Sequence, residues 1–126
     1  MAVMLLLCDS ALAHKDRGFL PQSLVISFAG GEKVTFVVTN GRVTAITVRV
    51  GSAISEIPSE VCARLRDVRF ETVRLSWNGS YPTAAEANYY YVSFKMGPVI
   101  NRPNGDPHWS LMFSGGKFTR FYEEAR

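Results

Sequence analysis

SLVISFAGGEKVTFVVTNGRVTAITVRV, residues 23–50, decides how this chain folds. Leu24, Ile26 and Phe28 share one parity, and Gly30-Gly31 then turns the chain. Val34, Phe36 and Val38 form the apolar side of a second run, which ends at Asn40-Gly41. A third run extends from Arg42 to Val50. Period-two alternation is the mark of a half-buried strand. Asn-Gly suits a tight type I′ turn, because both central residues need positive φ and these two accept it. Two such turns in series predict an antiparallel meander.

Outward from this stretch the pattern changes. Ile57-Pro58-Ser59-Glu60 opens a short helix that the spacing carries to about Asp67, with Val61 and Leu65 on one face. The run from Val68 to Trp77 changes phase: Val68 and Phe70 have one parity, Val73, Leu75 and Trp77 the other. A β-bulge near Glu71-Thr72 would turn both sets inward. Asn88 to Met96 has Tyr90, Val92, Phe94 and Met96 on one side and Tyr89, Tyr91, Ser93 and Lys95 on the other. Gly97 to Pro107 is rich in Pro, Gly and Asn and reads as a loop. His108 to Ser114 and Lys117 to Glu123 are the last two strands, joined at Gly115-Gly116. The expected fold is α+β, a βββ-α-ββ-loop-ββ meander of about seven strands. It would form one open curled sheet or half-barrel with one short helix. Phe36, Val38, Ile46, Val73, Leu75, Phe94, Leu111 and Phe113 are the expected core, with Leu65 packed on them.

Residues 1–13 read as the remnant of a secretory signal peptide. Ala2 to Cys8 is an apolar run, and Ala11-Leu12-Ala13 places small residues before a cut at His14, although a basic leader is missing. Residues 14–126 then form a single β-rich domain in the periplasm or outside the cell. Retention of residues 1–13 would make the protein cytoplasmic and the run an added element on the sheet. It is far too short to be a transmembrane segment, which takes about 20 apolar residues. Cleavage would leave Cys62 without a disulfide partner, so the fold is expected to rely on packing.

Val37-Val38-Thr39-Asn40-Gly41-Arg42-Val43, the helix from Ile57 to Arg66, and Val73-Arg74-Leu75-Ser76-Trp77 leading into Gly79-Ser80-Tyr81-Pro82-Thr83 occur in that order. Together they resemble a family of exported bacterial domains of unknown function, with a dGxV hairpin, a helix and a Gly-Tyr-Pro-Thr turn. The resemblance spans residues 24–92. It implies export and a small open sheet, and it brings no catalytic residues.

Little in the chain suggests chemistry. A net charge of +3 is too small, and its cations too interleaved with acids, to imply nucleic acid. Arg64, Arg66, Arg69 and Arg74, for example, are interleaved with Glu60, Asp67 and Glu71. Cys8, His14, Cys62 and His108 are too far apart for a metal motif. His108, Asp106 and a serine could form a hydrolytic set, but no serine lies on a nucleophile elbow. No cofactor is implied, since the paired glycines are hairpin turns and not a phosphate loop.

What remains is surface. Tyr89, Tyr91 and Lys95 share a strand face that Tyr81 and Arg102 could extend, and tyrosine suits an interface because it couples ring area to a polar tip. The first functional expectation is an exported module that binds a protein partner, of inhibitor, immunity or envelope-associated type. A carrier with a Phe- and Tyr-lined pocket for a small hydrophobic ligand is the alternative, and an enzyme comes third. The plainer reading of the tyrosines is that a helix or the N-terminal segment covers them.

Overall fold

The computed structural model describes residues 4–8, 20–99 and 107–124; for residues 4–8 it is the backbone alone that is described. The chain divides into two compact units, Met1–Leu65 and Arg66–Arg126. Each contains one antiparallel sheet.

The first sheet has five strands in sequence order: β1 (Met4–Cys8), β2 (Gln22–Ser27), β3 (Lys33–Thr39), β4 (Arg42–Val50) and β5 (Ala53–Glu56). The β2–β3 and β3–β4 hairpins form where the glycines predict. Asn40 and Gly41 adopt φ of 54° and 77° and join β3 to β4. Pairing aligns Leu24 with Phe36 and Phe36 with Ile46, and Ile26 with Val34 and Val34 with Val48. All of these but Leu24 are buried. An irregularity at Val37/Val38 leaves Thr44 without an opposite residue; its hydroxyl donates to the Val37 carbonyl at 3.2 Å. Val38, expected in the core, is half-buried beside this bulge.

The second sheet also follows sequence order: β6 (Val68–Trp77), β7 (Tyr89–Met96), β8 (His108–Ser114) and β9 (Lys117–Glu124). The phase change in β6 is a bulge between Arg69 and Arg74. Leu75, Val92, Leu111 and Phe121 stand in one lateral row, and Trp77, Tyr90, Phe113 and Phe118 in the next. Tyr90 stacks on Phe113 at 5.0 Å, and Phe118 meets Phe113 edge-on. Val73, Leu75, Phe94, Leu111 and Phe113 are buried as expected, and so are Phe36, Ile46 and Leu65 of the first unit.

The fold therefore departs from the expected architecture. The strands make two separate sheets, not one meander of seven or a half-barrel. The break lies at β5, which closes the first sheet against β4, and at Pro58, which has no N–H to extend a ladder. Alternation hides β5: Ile54 is 65% exposed whereas Ser55 is buried, the reverse of their polarity. The helix is also shorter than expected. α1 covers Ser59–Cys62 alone, with Pro58 as a cap that offers no side-chain acceptor. Single turns continue to Leu65, and Asp67, at φ 52°, lies just before β6.

No helix among the described residues is long and apolar enough to cross a membrane. The cleavage site at Ala11–Ala13 lies outside the described residues, and Met4–Cys8 pairs along its whole length with Ser23–Ser27.

Candidate binding face

Register assembles the face from residues that are remote in sequence. Directly opposed residues on neighbouring strands share a side of the sheet. One row thus joins Arg74, Ser93, Ser110 and Tyr122; the next joins Ser76, Tyr91, Met112 and Arg120. Tyr89 opposes Ser114 beyond the second row, and His108 opposes Glu124 beyond the first. Apolar rows occupy the other side, so this side is polar and aromatic.

Its centre is a shallow hollow of about 430 Å³ lined by Ser76, Tyr91, Ser93, His108, Ser110, Tyr122 and Glu124. Ser110, only 1% exposed, is the floor. The Ser93 and Ser110 hydroxyls are 3.0 Å apart, and Ser110 donates to Glu124 Oε2 at 3.4 Å. The same carboxylate oxygen meets His108 Nε2. Burial pushes the Tyr122 phenol above its ordinary range; Glu124 and Tyr91 add to that, and Arg120 and a hydrogen bond with Ser110 oppose it. The Arg120 guanidinium lies 4.6 Å from the centre of the Tyr122 ring.

Ser110, Glu124 and His108 do not form a nucleophilic triad. A general base must touch the oxygen it activates, with the carboxylate behind it. Here the carboxylate stands between the serine and the imidazole, which is not the serine–histidine–carboxylate order of that triad. Asp106 lies outside the described residues. Among the described residues, no three His, Cys, Asp or Glu gather where they could hold a metal.

The expected site residues are partly brought together. Tyr89 is 47% exposed, and Tyr91 and Lys95 are half-buried on the same side. Tyr81 is exposed in the turn after β6, but its carbonyl accepts the indole N–H of Trp77, a residue of the other side. Asn78 Oδ1 holds that turn by accepting from the amide and hydroxyl of Ser80. Arg102 lies outside the described residues. Sequence reading did not pick out Arg74, Ser76, Ser110, Arg120, Tyr122 or Glu124 as members of a site. Parity within each strand was legible, whereas the pairing that sets Tyr122 beside Ser110 was not.

A second hollow of about 430 Å³ lies in the first unit, bounded by Thr44 to Thr47 and Glu56 to Ser59. Neither of these two hollows has a phenylalanine in its lining.

Comparison with protein-family models, with curated proteins and with solved structures finds no match to this chain.

Proposed function

We propose that this chain is an exported binding module, of inhibitor, immunity or envelope-associated type, whose β6–β9 sheet meets a protein partner through its polar, tyrosine-bearing side. The observation that carries the reading is Tyr89, 47% exposed within a strand and on the same side as Tyr91. A solvent-facing strand position does not need a large aromatic ring for folding, and tyrosine contributes most where a partner covers it. Ser76, Ser93 and Tyr122 around Tyr91 add hydroxyl groups that suit a wet, polar interface.

Replacing Tyr89 and Tyr91 together by serine tests the reading. The variant should lose the partner captured from a native extract, while its stability stays within about 1 kcal/mol of the parent. A larger loss of stability would make the tyrosines part of the packing and remove the site.

Export belongs to the same proposal, as does kinship with the exported bacterial domains that residues 24–92 resemble. Its support is the apolar run that ends in Ala11-Leu12-Ala13. Cleavage there would remove β1 and leave β2 at the edge of the first sheet. Intact-mass measurement on native protein should show a chain that starts at His14; a chain that still carries Met1 or Ala2 would refute it.

A further inference from the structure

We infer that the partner is acidic where it meets this face, and that Arg74 and Arg120 receive its carboxylates. The inference rests on the binding reading above and names the chemistry of the segment bound. Pairing register puts Arg74, Lys117 and Arg120 on the same side as Tyr89 and Tyr91. Register puts Glu124 with them, and its carboxylate is already engaged by His108 and Ser110. The face is thus cationic although the chain as a whole carries only +3.

The two arginines are placed to act together. Both are exposed. Arg74 donates through Nη1 to the carbonyls of Glu71 and Val73, which orients the guanidinium and leaves Nε and Nη2 to bind. Arg120 lies over the Tyr122 ring, which orients it without neutralising it. Among the described residues neither meets a carboxylate. Arginine is suited to the role, since its planar fork matches a carboxylate in two hydrogen bonds.

The spacing adds a constraint. Arg74 is on β6 and Arg120 on β9, at opposite edges of the sheet and one row apart. Three strand spacings and one two-residue step separate their backbones by about 16 Å, which an extended chain covers in about five residues. Between them lie Ser76, Tyr91, Ser93, Ser110 and Tyr122, a hydroxyl-rich strip over which such a segment would run.

The test uses the full chain and labelled Ser/Gly peptides carrying glutamates four or six residues apart, the even spacings that bracket the arginine separation and keep both side chains on one side of an extended chain. A lysine counterpart, heparin and single-stranded DNA complete the set, and fluorescence anisotropy is read at low and physiological salt. The glutamate peptide should bind roughly tenfold or more tightly than the lysine one, and weaken as salt rises. R74E/R120E should abolish that preference. R120E alone, which breaks no main-chain bond, should reduce it while the melting temperature stays unchanged. Equal binding of the two peptides, no binding of the glutamate peptide, or a preference for heparin or DNA would overturn the proposal. A native partner lost with Tyr89→Ser/Tyr91→Ser but kept by R74E/R120E would overturn the acidic assignment and leave the binding reading intact. A partner kept by both variants would overturn both.

Discussion

The hydroxyl of Thr72 accepts the main-chain N–H of Lys95 at 2.8 Å and donates to the Arg69 carbonyl at 2.6 Å. Thr72 lies in the bulge between Arg69 and Arg74, where β6 and β7 lose their regular ladder. Its side chain replaces a main-chain acceptor and keeps a half-buried amide satisfied. The bulge in turn sets the phase of Arg74 and Ser76, so one threonine helps to place two residues of the candidate face.

Thr72→Val should therefore destabilise the protein by about 1–3 kcal/mol, because the Lys95 amide would lose its partner without gaining water. Thr72→Ser retains the hydroxyl and should recover most of the loss. Denaturant titration of the two variants measures the difference; equal stability of valine and serine at this position would show that the bond contributes nothing.

Phe94 and Phe36 are buried in separate units. Truncation of either to alanine should cost about 3–5 kcal/mol, a large share of the stability of an ordinary domain. The thermal melt of each variant is the measurement. Parent-like melting would mean that the apolar side of that sheet is not its packed side.

Gly41 turns the β3–β4 hairpin at φ 77°, and a Cβ there would meet nothing within 4 Å. The cost of Gly41→Ala is thus conformational and not steric crowding, about 1–2 kcal/mol for a left-handed non-glycine residue. Gly79, which also has open space but no positive φ, should tolerate alanine with little change. Comparing the two variants by equilibrium unfolding separates backbone strain from side-chain fit.

Burial pushes the Cys62 thiol above its ordinary range, with Glu60 adding slightly and main-chain hydrogen bonds opposing. The neutral thiol is the form that the fold favours. Its stabilising effect is complete below the ordinary thiol range and declines as pH rises through it, because the unfolded chain deprotonates first. Cys62→Ala should flatten the fall in stability on the alkaline side. The native thiol should also react slowly with an alkylating reagent at neutral pH, and quickly once the chain is unfolded.

The residues themselves determined most of the local structure. Strands from Arg42 to Val50, Val68 to Trp77 and His108 to Ser114 have the predicted limits, and the phase change within the second of these is the bulge at Arg69/Arg74. Asn40-Gly41 forms its turn because positive φ is a local preference of those two residues. Tertiary structure decided the rest. Ile54 is exposed and Ser55 buried in β5, so the strand that ends the first sheet carries an inverted pattern. Alternation states which residues of a strand share a side, but a strand's neighbour is chosen by lateral hydrogen bonding across long stretches of chain. For that reason the division into two sheets was not legible. Nor was the row that sets Arg74 of β6 and Tyr122 of β9 on either side of Ser93 and Ser110, because only strand pairing brings them together.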